Sequence, residues 1–170
     1  MKSRFGYLFL TVVLFGYSSL VLAQFEIRPW PNNTNAPPIE HTDISGQVFS
    51  SHELKGKVLL INFWATWCAP CTEELPSLQK LQEINQDKHL LVLTINNKES
   101  INKIRNFKRK NDMTLPVVAD VQGDITKQWG IKIFPTTVMI TGDGKPKWIV
   151  EGSADWTSKE ISDLLAISPK

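Results

Sequence analysis

The apolar and polar positions of the chain change period along its length. Val58-Leu59-Leu60-Ile61-Asn62-Phe63-Trp64 is apolar at all but one position. Such a run predicts a strand buried on both faces, central in a covered sheet. Leu90 to Ile95 predicts a second buried strand. After Cys71, the apolar residues Leu75, Leu78, Leu81 and Ile84 recur every third position, one face of a helix with a slight drift around its axis. Pro76 lies inside that helix and is expected to kink it. Ile101, Ile104 and Phe107 mark a second helix face, and Pro116 to Ala119 a short strand. Asp124 is expected to cap a brief helix that runs to Trp129 and stops at Gly130. Thr136 to Ile140 predicts a strand, Thr141-Gly142-Asp143-Gly144 a hairpin turn, and Lys147 to Val150 the returning strand. Thr157-Ser158-Lys159-Glu160 reads as a capping box for a C-terminal helix with Ile161, Leu164 and Leu165 inward.

The segment before the first long strand is less regular. Asp43 to Phe49 reads as a turn between two short strands, and Ser51 to Lys57 as a helical turn ended by Gly56. Residues 24–40 hold Pro29, Pro31, Pro37 and Pro38 around Asn32-Asn33-Thr34-Asn35, which predicts an extended tether. Asn32-Asn33-Thr34 fits a glycosylation sequon, a pattern too short to be specific. Strand and helix alternate and are followed by a hairpin and a helix. This order implies an α/β domain over 41–170, a mixed central sheet with helices on both faces, preceded by a short hairpin.

Residues 1–23 stand apart. Lys2 and Arg4 precede a nearly continuous apolar run from Phe5 to Phe15, and Val21-Leu22-Ala23 offers acceptable residues before a cleavage point. This reads as an export signal. Phe5 to Ala23 is also 19 residues, close to a bilayer span, so an uncleaved anchor is the competing reading. Either way the positive charges place the domain outside the cytoplasm, in a periplasm or its equivalent. Outside this segment the chain has 17 basic and 17 acidic residues. That balance argues against a nucleic-acid surface, and the short run Lys108-Arg109-Lys110 reads as a solvated helix end.

Cys68 and Cys71 are the only cysteines. They form a CxxC between a buried strand and a helix, the placement that thiol–disulfide exchange needs. The first thiol sits at the helix N-terminus, where free N–H groups and the dipole favour a thiolate. The second lies one turn in, within reach of a mixed disulfide. A structural bridge between residues so near in sequence would constrain little of the unfolded chain. A zinc site needs two further ligands, and His41, His52 and His89 are scattered. Thr72 follows Cys71, so the haem-attachment pattern is absent. The chemistry calls for no cofactor and no metal.

The segment Asn62-Phe63-Trp64-Ala65-Thr66-Trp67-Cys68-Ala69-Pro70-Cys71 resembles the active-site segment of the thioredoxin superfamily, in particular its TlpA/ResA-like exported thiol–disulfide oxidoreductases. Glu74 and Pro76 complete the CxxExP pattern of that subfamily, and Gly130 to Asp143 resembles its segment ending in Pro-Thr-Thr and a strand. The resemblance covers about residues 40–167. It implies a thioredoxin-like fold, a redox disulfide between Cys68 and Cys71, and Cys68 as nucleophile with Cys71 resolving. Pro135 would be the cis-proline beside the active site, where the preceding backbone pairs with an extended substrate. Trp67 would shield one side of the disulfide, and Phe134 is a candidate specificity residue. Cytosolic thioredoxins carry a buried aspartate where this chain has Asn62, a change the exported subfamily shares. An amide cannot take a proton from Cys71, so Glu74, one helical turn on, becomes the candidate for tuning the thiols.

The resemblance further implies a reductase that keeps specific extracytoplasmic protein cysteines reduced, including those for haem attachment in cytochrome c maturation, and that is recharged by a membrane-embedded thiol carrier. A disulfide-forming oxidase of the DsbA type carries a helical insertion, and the roughly 20 residues between the strands at 90–95 and 116–119 hold one helix. An alternative from another class is a Cu(I) carrier on the same fold, since soft thiolates suit that ion. Its remote ligand would be His89.

Overall fold

The computed structural model describes residues 25–31, 34–50, 52, 54–85 and 90–166. The expected export segment at 1–23, most of the sequon and His89 lie outside the described residues. No helix among the described residues is long and apolar enough to cross a membrane.

The sheet is built outward from β4 (Val58–Trp64). Its alternate residues feed two cores, Leu60 and Trp64 on one face, Leu59, Ile61 and Phe63 on the other. That is why the run is apolar without a period of two. β5 (Leu90–Asn97) and β6 (Val117–Asp120) continue the sheet in parallel on one side. β7 (Thr136–Ile140) and β8 (Pro146–Glu151) extend it antiparallel on the other. The edge beyond β8 is β1 (Glu26–Pro29), paired with it from Glu26 opposite Glu151 to Pro29 opposite Trp148. The strand order is therefore β1-β8-β7-β4-β5-β6, a mixed sheet. β2 (Glu40–Thr42) and β3 (Val48–Ser50) form the separate hairpin expected around the turn at 43–47.

Among the described residues the Pro-rich segment is extended, as its prolines dictate, yet it does more than tether. Four of its residues close the sheet edge, and Arg28 holds Glu151 across the strand pair at 2.6 Å.

α1 (Ala69–Ile84) follows the cysteine turn and runs through Pro76 as one helix. Its buried apolar residues are Leu75, Leu78 and Leu81, whereas Ile84 is exposed. A spacing of three falls about 60° short of a full turn at each step. Three steps carry Ile84 to the opposite face, so the drift is not slight. α2 (Ile101–Lys110) buries Ile104 beside the same core, and α4 (Lys159–Ala166) adds Ile161 and Leu164. Fully burying a leucine such as Leu78 contributes about 1.5–3 kcal/mol. On the other face, Phe49 of the hairpin and Trp129 cover Phe63, Val138 and Ile149.

Two expected helix caps are supplied by different residues. α3 (Asp124–Gln128) starts after Gly123, and Asp124 makes no capping bond. Asp120 takes that role from the end of β6, accepting from the N–H groups of Ile125 and Thr126 at 3.2 and 2.8 Å. At α4 the cap is Ser158, whose Oγ accepts from Ile161 N at 3.4 Å. Thr157 instead bonds Asp155.

Candidate active site

The end of β4 delivers the chain into a tight turn, with Cys68 N donating to Ala65 O at 3.2 Å. Cys68 is the N-cap of α1 and its Sγ accepts from Cys71 N at 3.3 Å. Sulfur thus occupies the place where a capping oxygen would satisfy a free helix donor. Pro70 falls in the first turn, where its missing N–H has no partner to lose. Cys68 and Cys71 form a disulfide with sulfurs 2.05 Å apart. Cys68 keeps 6% exposure and Cys71 none, so the N-terminal sulfur is the one an incoming group can approach.

Trp67 and Phe134 form an apolar platform next to the disulfide. Trp67 is 63% exposed, and its ring meets that of Phe134 edge-on at 6.1 Å. Phe134 also packs against the core cluster that contains both cysteines. The Phe134–Pro135 bond is cis, and Pro135 O accepts from Gly152 N at 2.9 Å.

Glu74 lies below the surface, at 2% exposure, on the buried side of α1. Its Oε1 accepts from Asn62 Nδ2 at 2.7 Å, and its Oε2 accepts from Ala154 N and Trp156 Nε1, both at 3.1 Å. Every one of these donors is neutral. Burial pushes the carboxyl up to about 7, and the bonds from Trp156, Ala154 and Asn62 only moderate that rise. Asn62 also donates to Thr137 Oγ1 at 3.0 Å, which ties Glu74 through β4 to β7. The sequence indicated Glu74 and Asn62, but Ala154 and Trp156 sit 80 or more residues away and no local pattern marks them as partners.

Glu99 was not legible as a site residue. It follows β5, is 5% exposed, and accepts from Thr66 N and Thr66 Oγ1, each at 2.7 Å. Asn96 Nδ2 and Lys103 Nζ complete its shell at 2.9 and 2.6 Å. Burial would raise this carboxyl, but the bonds from Lys103, Thr66 and Asn96 outweigh it and hold Glu99 below the usual carboxylate range. Glu99 therefore pins the turn that presents Trp67 and Cys68. Two buried glutamates flank the redox segment with opposite titration, one facing neutral donors and one facing a cation.

No group of three or more His, Cys, Asp or Glu with metal-site geometry occurs among the described residues.

A cysteine pair at a strand–helix junction, a cis-proline directly after the phenylalanine that meets Trp67, and a mixed sheet around them define a thioredoxin-like thiol–disulfide exchange protein. Residues 33–149 match the AhpC/TSA family, and the chain belongs to that family. It is 32% identical over 130 residues to the thiol-disulfide oxidoreductase ResA of Bacillus thuringiensis, covering 76% of this chain and 74% of that protein. It is 33% identical over 162 residues to the thioredoxin-like protein YneN of Bacillus subtilis, covering 92% and 93%. Among solved structures, a thiol:disulfide interchange protein of the thioredoxin family from Chlorobium tepidum superposes with a TM-score of 0.69 at 25% identity, over 83% of this chain and 97% of that one. The chain is a thiol–disulfide oxidoreductase.

Proposed function

We propose that the protein works outside the cytoplasm as a reductase of protein disulfides. The observation that carries this reading is the buried Glu74 carboxyl, held only by neutral donors one helical turn from Cys71. Strong oxidants on this fold stabilise the reduced form as a thiolate. A carboxylate near the thiols does the reverse, since like charges raise a thiol's pKa. It disfavours the thiolate and so favours giving electrons away.

The steps follow. The Cys68 thiolate attacks one sulfur of a substrate disulfide, and the departing substrate sulfur takes the bond's electron pair and a proton. A mixed disulfide then joins Cys68 to the substrate. Cys71 gives its proton to Glu74, whose titration near neutral pH suits that transfer. The Cys71 thiolate attacks Cys68 Sγ, the Cys68–Cys71 disulfide closes, and the second substrate sulfur leaves with the bond's electron pair and takes up the proton held by Glu74. The substrate has gained two electrons and two protons, and the protein has lost them. A membrane-embedded thiol carrier would return the electrons.

In this reading residues 1–23 export the domain or tether it to the membrane, and residues 24–40 join that segment to the redox domain of residues 41–170 while lending β1 to its sheet. The Trp67–Phe134 platform and the backbone before Pro135 receive the substrate chain. Relatives named as thiol–disulfide oxidoreductases support this reading. The test is catalysed reduction of insulin with dithiothreitol as donor. Precipitation should accelerate well beyond dithiothreitol alone, and Cys68→Ser should abolish the acceleration. No acceleration by the wild-type protein would overturn the reading.

A further inference from the structure

Beside the Trp67–Phe134 platform lies a trough of about 550 Å³. Phe134 forms part of its wall, so the trough is continuous with the surface next to the disulfide. Lys98, Lys127 and Lys132 line it, and all three are exposed. None has a carboxylate within ion-pair distance among the described residues. Lys80, Lys103, Lys145 and Lys159 each do have one. A single acid, Asp124, also lines the trough, so its charge is positive.

Lys98 has a backbone feature of its own. Its φ is +57°, in the left-handed region that favours glycine or asparagine. Its N–H donates to Asp120 O at 2.9 Å, which holds that conformation. Gly123 lies beneath its stem, and a Cβ at position 123 would collide with Lys98 Cε and come within 3.3 Å of Asn97 Oδ1. A lysine thus stands where glycine would fit more easily, and Gly123 beneath it has a left-handed backbone of its own at φ +80°. Strained backbone of this kind persists where surrounding structure over-determines it, and it concentrates at working sites.

We propose that this trough binds an acidic segment of the substrate protein next to its reacting cysteine, with Lys98, Lys127 and Lys132 as specificity-determining residues. The inference rests on the exchange chemistry proposed above and adds which substrates that chemistry selects. The geometry favours a polypeptide, because a chain lying across Trp67 and Phe134 continues directly into the trough. Exposed unpaired cations act mainly on encounter, raising the association rate of an oppositely charged partner in a salt-sensitive way.

The experiment uses the reduced protein and two synthetic peptides of equal length. Each carries one cysteine activated as a mixed disulfide with thionitrobenzoate, and one is flanked by glutamates, the other by lysines. Release of thionitrobenzoate is followed by stopped flow at low and high salt. The glutamate-flanked peptide should react about tenfold faster at low salt, within the range of electrostatic steering, and the ratio should approach unity at high salt. The triple variant Lys98→Glu, Lys127→Glu, Lys132→Glu should invert the preference, an outcome that misfolding cannot produce. If the triple variant does not fold, Lys127→Glu and Lys132→Glu singly should each reduce the ratio. Equal rates for the two peptides with the wild-type protein, or a preference that survives the lysine replacements, would overturn the proposal. A parallel reaction with free dithionitrobenzoate separates the two readings. If that reaction fails, the exchange chemistry falls and the proposal with it, whereas a normal reaction without peptide preference removes only the trough.

Discussion

Asn62 and Glu74 meet inside the protein, the amide on the central strand donating to the carboxyl on the redox helix at 2.7 Å. The pair joins the two elements that present the cysteines. Neither residue carries a compensating cation, so the charge buried beneath α1 depends on whether Glu74 holds its proton. The Asn62 Oδ1 atom is buried and accepts no hydrogen bond among the described residues.

Glu74 makes the stability of the protein fall as pH rises. Its carboxyl titrates near 7 in the folded state against about 4.5 in a free chain. Above 4.5 the unfolded chain releases this proton while the folded protein keeps it. Stability from this group is therefore full below about pH 4.5 and is lost as pH rises through about 7. The loss is on the order of 3 kcal/mol. Urea unfolding of the oxidised wild-type protein and of Glu74→Gln at pH 5 and pH 8 measures it. The two should be close at pH 5, and the variant should be relatively more stable at pH 8. Parallel pH profiles would remove the uncompensated buried charge from the account.

The same variant tests the role of Glu74 in the reaction. With its carboxylate gone, the thiols should titrate at lower pH, because the repelling charge is absent. Turnover in the insulin assay should slow by about 10²-fold or more, the usual worth of a positioned proton acceptor. Thiolate absorbance against pH gives the first quantity and initial rates the second. If neither moves, Glu74 serves only the packing of α1.

Cys68 should react before Cys71. Its sulfur is at the helix N-terminus and retains some exposure, while Cys71 has none. Limiting iodoacetamide added to the reduced protein, followed by peptide mass analysis, should find the label on Cys68. Label mainly on Cys71 would reverse the assigned roles.

Glu99 should matter more for stability than its distance from the disulfide in sequence suggests. Glu99→Ala removes the acceptor of Thr66, Asn96 and Lys103 and should cost roughly 2–3 kcal/mol, since buried donors are left unmet. The pH dependence has the opposite sign to that of Glu74. A depressed carboxyl contributes stability above its unfolded pKa and loses it as pH falls through the folded one. The difference between wild type and Glu99→Ala should therefore shrink in acid. A constant difference down to pH 2 would contradict the ionised network.

Much of the fold was legible because an apolar run and burial coincide in β4 and β5, whereas of the expected α2 face only Ile104 is buried and Ile101 is exposed. β4 matched its apolar run, and the CxxC at its end marked the site before any contact was visible. What escaped has a physical reason in each case. Leu75, Leu78 and Leu81 look like an endless stripe with Ile84 until the 60° lag per step is summed. Ser158 and Thr157 are equally good caps on paper, and only the Asp155 side chain decides between them. The Pro-rich segment hides β1, because an edge strand can use residues that lack a donor on their outer side. Glu99 and Trp156 reach the site through the tertiary fold, 33 and 82 residues from the groups they hold.

The reduction potential of the Cys68–Cys71 pair tests the central claim most directly. It is obtained by equilibrating the protein in dithiothreitol buffers and trapping free thiols. The account predicts a reducing pair, near or below the roughly −270 mV of thioredoxin. A value near the roughly −120 mV of a strong oxidant would contradict the reductase reading, while leaving thiol–disulfide exchange at these two cysteines intact.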